Sequence, residues 1–133
     1  MDSAQLDLIA ILIAGVVNFL IGIAWYSPWL FGPAWKKLAG FDGSHPYKRR
    51  KLAPLWAFGL SLLTAYILGF FIVFLGVTTV SDGMFVGFLA WLGFISTTLL
   101  SAVIWSHKSF KFFLIDGGYR LLGALVMGGI LGA

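Results

Sequence analysis

The stretch "LIAILIAGVVNFLIGIAWYSPWLFGPAWKK", residues 8–37, decides the fold. From Leu8 to Tyr26 it carries no charge, and its only amide side chain is Asn18. A helix crossing the hydrocarbon layer needs roughly 20 predominantly apolar residues, so this run is long enough to span. It closes on Trp25 and Tyr26, passes Pro28, Trp29, Pro33 and Trp35, and reaches Lys36 and Lys37. Rings with one polar atom favour the boundary between hydrocarbon and water, which makes Trp25, Tyr26, Trp29 and Trp35 expected interface anchors. The two prolines stop the membrane helix and favour a short segment lying along the headgroups. The same four rings can also be read as the lip of a pocket or gate.

Working outward, three more apolar runs follow: Pro54 to Leu75, Met84 to Trp105, and Phe112 to about residue 132. Pro54 is expected to open the second, where its missing N–H costs nothing. "TTVSDG" ahead of the third is a turn-and-cap signal. Of the 133 residues 60% are hydrophobic and only 11% charged, with no glutamate. A soluble domain carries about a quarter of its residues as charges, so this chain cannot cover a globule in water. The expected fold is all-α, an integral membrane four-helix bundle of two hairpins in one transmembrane domain. The spans fall at about 8–26, 54–75, 84–105 and 112–132, with a basic loop over 27–53 holding the aromatic segment. The absence of cysteine removes disulfides, thiolate nucleophiles and cysteine metal sites.

Eight of the nine basic residues lie in two connections: Lys36, Lys37, Lys48, Arg49, Arg50 and Lys51 in one, Lys108 and Lys111 in the other. The N-terminal tail, the "GVTTVSDG" connection and the C-terminal end carry none. The bias puts both basic connections in the cytoplasm and both termini outside. Charge placed this way points to a membrane and not to nucleic acid. The tail "MDSAQLD" lacks the positive residues of a signal peptide, so the first span is expected to be retained. Six of the cations, Lys36, Lys37, Lys48, Arg49, Arg50 and Lys51, are expected to meet anionic lipid headgroups, each gaining about 1 kcal/mol.

"GIAWYSPWLFGPAW" after a first span, "WLGF" in the third and "DGGYRLLGALVMGGILGA" at the end resemble the domain of unknown function 1761 family. These are small prokaryotic membrane proteins with four spans. The resemblance covers essentially the whole chain, and the Trp-Tyr-Ser-Pro segment is its most specific part. It implies the four-span layout and a prokaryotic plasma (inner) membrane, and lends no catalytic or transport residues. Within the chain, "GLSLLTAYILG" (59–69) and "GYRLLGALVMG" (118–128) share the pattern G-x-x-L-L-x-A-x-x-x-G. If this marks a duplication, the repeat is parallel, with approximate two-fold symmetry about the membrane normal.

Ionisable residues at membrane depth are costly and therefore informative. The fourth span holds Asp116 and Arg120, one turn apart on one face. Counted from Phe112, Arg120 lies roughly 12 Å deep at 1.5 Å per residue. The pair reads either as an internal ion pair or as an anion- or proton-handling site. Arg120 on a lipid phosphate at a subunit seam is a third reading. Asn18, Tyr119 and His107 are secondary candidates, and Tyr66, Ser96, Thr97 and Thr98 can extend a polar cluster or simply bond along their own helices. His45 and His107, far apart and without partners, make no metal site. No phosphate loop, dinucleotide fingerprint or hydrolase elbow is present, so no cofactor is expected. "GMFVG" (83–87) and "GGILG" (128–132) have the spacing that lets membrane helices approach closely.

Three functions fit these observations. The first is a non-enzymatic membrane component that binds lipid, a hydrophobic small molecule or a partner protein. Another is a small oligomeric transporter or channel using Asp116 and Arg120. The last, a membrane enzyme, lacks a nucleophile–base pair. Small multidrug transporters rely on a glutamate in their first span, which this chain does not have. The strong charge bias favours a parallel homo-oligomer over an antiparallel one.

Overall fold

The computed structural model describes residues 6–38 and 47–133, with Lys36 and residues 47–51 described by their backbone alone. Among these residues there are six α-helices and no strand: α1 (Leu8–Trp25), α2 (Gly32–Leu38), α3 (Tyr47–Phe74), α4 (Val80–Ala90), α5 (Thr97–Trp105) and α6 (Phe110–Gly132). A π-helical stretch, Trp91–Ser96, joins α4 to α5 without a break. Four segments are therefore long and apolar enough to cross a membrane: α1, Leu52–Phe74 of α3, Val80–Trp105 and α6.

Local chemistry accounts for most of the boundaries. Asp7 accepts from the Ile9 and Ala10 N–H groups at 3.1 Å each and caps α1. Past Trp25 the chain turns tightly, with the Phe31 N–H on the Trp25 carbonyl at 3.0 Å. A side chain at Gly32 would strike the Tyr26 carbonyl. Gly76, at φ 70°, ends α3 in a left-handed residue, with Val77 N–H on the Ile72 carbonyl and Gly76 N–H on that of Val73. Thr79 caps α4 by accepting from Asp82 N–H at 3.2 Å, so this helix starts at Val80, ahead of the Met84 expected. Ser109 likewise caps α6 from Phe110, and not Phe112.

The start of α3 differs more. The helix begins at Tyr47, and Pro54 lies inside it. The carbonyl its ring leaves without a donor belongs to residue 50, ahead of the apolar span, where headgroup water can serve it.

α6 is the central helix and meets every other one. In it 39% of the span is buried, against 11% for Val80–Trp105. It lies flush against α4. A Cβ at Gly83 would collide with the Gly128 carbonyl, one at Gly87 with that of Ala124, and one at Gly132 with that of Thr79. The two small-xxx-small motifs thus meet each other inside the bundle, backbone against backbone, close enough for Cα–H groups to face carbonyls. On the far side α1 packs on both α6 and α3, around Ile11, Ala14, Ala65, Leu68 and Met127. α3 leans on α1 and touches α6 and α4 much less.

Gly87→Leu is expected to destabilise the bundle by about 3 kcal/mol or more, since backbone cannot yield as a side chain does. Gly59→Ala, with nothing within 4 Å of the new Cβ, should be neutral or stabilising by about 0.5 kcal/mol. Unfolding of the detergent-solubilised variants by denaturant checks both. Equal behaviour would contradict the seam.

Candidate functional site

Asp116 lies six residues into α6 and Arg120 ten, about 9 Å and 15 Å along the axis. A carboxylate at that level needs donors, and the short contact comes from outside the helix. The Tyr26 hydroxyl donates to Asp116 Oδ1 at 2.6 Å. Arg120 Nε reaches Oδ2 only at 3.4 Å. The backbone beside Asp116 is held as well. Trp25 Nε1 donates to the Ile115 carbonyl at 2.9 Å, and Trp91 Nε1 to that of Gly117 at 3.0 Å. Two indoles from opposite neighbours therefore grip α6 just where it carries its acid.

One turn deeper, Tyr119 donates to the Asn18 carbonyl at 3.3 Å, and the Asn18 amide donates to Ser61 Oγ at 2.9 Å. These bonds tie α6 to α1 and α1 to α3 near mid-membrane. Glycine makes room for them. A Cβ at Gly123 would overlap the Asn18 amide oxygen, and one at Gly118 would press on Trp25 at 3.2 Å.

The sequence candidates separate accordingly. Asp116, Arg120, Asn18 and Tyr119 come together, and Tyr26 joins them. His107 does not. It is exposed, at φ 58°, in the left-handed position that terminates α5. Among the interface aromatics, Trp29 is 92% exposed, whereas Trp25, Tyr26 and Trp35 turn inward. Tyr26 stacks edge-on against both Trp35 and Tyr119, each at 5.4 Å. Ser96, Thr97 and Thr98 donate to carbonyls four residues back, at 2.6, 2.9 and 2.7 Å, and take no part. Tyr66 is exposed and packs on Phe70. Lys37 is exposed. The side chains of Lys36, Lys48, Arg49, Arg50 and Lys51, and the whole of His45, lie outside the described residues. Among the described residues no three metal-ligating side chains converge. Ser61 is the participant that sequence reasoning missed. Its one signal was a small hydroxyl in the apolar run of α3, a run that also carries Thr64 and Tyr66.

Where α3 stands off from α4 and the π-helical stretch, a cleft of about 1000 Å³ opens. Its walls are apolar: Phe19 and Ile23 on α1, Leu60, Leu63, Ile67 and Phe71 on α3, Ala90 and Ile95 opposite. Tyr26, Asp116, Tyr119 and Arg120 line its inner side. The Arg120 side chain is 48% exposed and that of Asp116 only 12%. Among the described residues the two amino groups of the guanidinium have no partner. The chemistry on offer is a loosely tethered cation facing an apolar slot.

The model of the family described as "Protein of unknown function (DUF1761)" matches residues 9–132, and the chain belongs to that family. No curated protein and no solved structure matches it.

Tyr26→Phe leaves a buried carboxylate oxygen without its donor and should cost about 1–3 kcal/mol. Arg120→Gln removes a long, half-exposed contact and should cost less than about 1 kcal/mol. Denaturant unfolding of the two variants measures this order, and a reversed order would mean that Arg120 holds Asp116.

Proposed function

We propose that this family member is a non-enzymatic membrane protein that binds a lipid or hydrophobic small molecule in the cleft between α3 and the third span. One observation carries the reading: an apolar cavity of about 1000 Å³ at membrane depth has a half-exposed arginine on its inner wall. Sites for small ligands are mostly apolar with a few convergent polar groups, and this volume is at the upper end of their range of about 300–1,000 Å³. An arginine needed only for packing would be enclosed by partners, because solvating it in hydrocarbon is costly.

The family resemblance supports a prokaryotic plasma membrane, and the charge bias supports basic connections in the cytoplasm with both termini outside. Lys36, Lys37, Lys48, Arg49, Arg50 and Lys51 then lie against anionic headgroups. A small oligomeric transporter or channel is the second reading. It is favoured by the π-helical stretch in the cleft wall, since such stretches concentrate at functional sites and hinges. Parallel homo-oligomers would suit either function.

Ala57→Trp and Ala90→Trp each push an indole into the cleft from opposite walls. Native mass spectrometry from mild detergent should show a bound small molecule on the wild type and none on either variant, with both variants still unfolding cooperatively. An empty wild type, or a mass that survives both substitutions, overturns the reading.

Orientation is tested on the same chain, which has no cysteine of its own. In whole cells an impermeant maleimide should label Thr78→Cys and spare Lys37→Cys. The opposite pattern would invert the topology.

A further inference from the structure

Resting on the cleft as a binding site, we infer that its ligand is a single-chain amphiphile with a carboxylate head, and that Asp116 is a placeholder for that head. The cation is the recognition group. Arg120 offers two amino groups without partners among the described residues, and only its Nε reaches Asp116, at 3.4 Å. Asp116 does not depend on Arg120, because Tyr26 donates to its other oxygen at 2.6 Å. An incoming anion can therefore take the guanidinium while Asp116 keeps the phenol. In the empty site the two charges cancel each other, and the arginine is never left bare in an apolar slot.

The remaining polar groups limit the head. Asn18 is bonded to Ser61, Tyr119 to the Asn18 carbonyl, and Thr64 to the Leu60 carbonyl of its own helix. A phosphodiester with a further polar substituent would bury more polar atoms than these few groups can serve. A carboxylate brings two oxygens in a plane, which fits the fork of one arginine. Beyond Arg120 the inner wall continues to Met127 for about 10 Å along α6, facing Ile67 and Phe71. This part is mostly apolar, with Asn18, Ser61 and Thr64 the polar residues on its walls, and suits one hydrocarbon chain lying along the helices. A lipophilic cation fits worse. The carboxylate it would seek is 12% exposed and already bonded.

The test uses the whole protein in zwitterionic lipid nanodiscs at mildly alkaline pH. The probes are brominated stearic acid, its methyl ester and an alkylammonium of the same chain length. Bromine quenches indole fluorescence on contact, and Trp35 lines the cleft. Wild type should be quenched saturably by the acid at a concentration at least about tenfold below that needed for the ester. Arg120→Gln should erase that preference, and Asp116→Asn, lacking the internal competitor, should bind the acid about tenfold more tightly. Equal quenching of wild type by acid and ester overturns the carboxylate inference and leaves the cleft as a site for neutral amphiphiles. Preference for the ammonium makes Asp116 the recognition group and also overturns it. No saturable quenching by any probe overturns the binding site itself. The acid-to-ester comparison needs no variant, so it stands even if Arg120→Gln fails to fold.

Discussion

The backbone contact between α4 and α6 organises this bundle. In hydrocarbon, helices gain little by hiding apolar side chains from one another, so close approach through small residues carries much of the association. Gly83 and Gly87 lie against Ala124, Gly128 and the turn around Gly132, and no side chain separates the two backbones. With α6 drawn fully onto α4, α1 takes its other side and α3 takes the outside of α1. Nothing then brings α3 onto the third span along its whole length. The cleft is the space left over, and Arg120 faces it because Asp116 and Arg120 share one face of the helix that forms the floor.

A second constraint shapes the rest. With no water in the membrane interior, every polar atom needs a partner in the protein. The indoles of Trp25 and Trp91 serve carbonyls on either side of Asp116, and Tyr26 serves its carboxylate. In the third span, Ser96, Thr97 and Thr98 donate to carbonyls within and around the π-helical turn. Arg120 stands apart. Its two amino groups, without partners among the described residues, mark the place where we propose that another molecule binds.

The spans were legible because hydrophobic length is a one-dimensional property; of the caps only the one in "TTVSDG" was read, and those at Asp7 and Ser109 were not. The seam was half legible: the spacing in "GMFVG" and "GGILG" showed that each could pack closely, and only the fold showed that they pack on each other. The aromatic stretch misled in part. An interface anchor and an inward-turned donor have the same composition, and the tight turn after Trp25 sends Trp25, Tyr26 and Trp35 inward while leaving Trp29 out. Ser61 was missed because one of several hydroxyls in an apolar helix signals nothing until Asn18 is found opposite it. Pro54 inside α3 and the π-helical stretch depend on where a helix meets the membrane and its neighbours, which no local pattern records.

The bundle combines a closed seam with an open cleft. Oxidative cross-linking in membranes tests it directly, again because the chain lacks cysteine. Met84→Cys with Gly129→Cys bridges the seam, where a Cβ at residue 129 would lie 3.1 Å from the Met84 side chain. Leu60→Cys with Ile95→Cys faces across the cleft from opposite walls. A disulfide forms only where the Cα atoms approach within about 7 Å. The first pair should cross-link readily and the second should not. Efficient bridging of residues 60 and 95 would show that the walls meet, and would contradict the central claim.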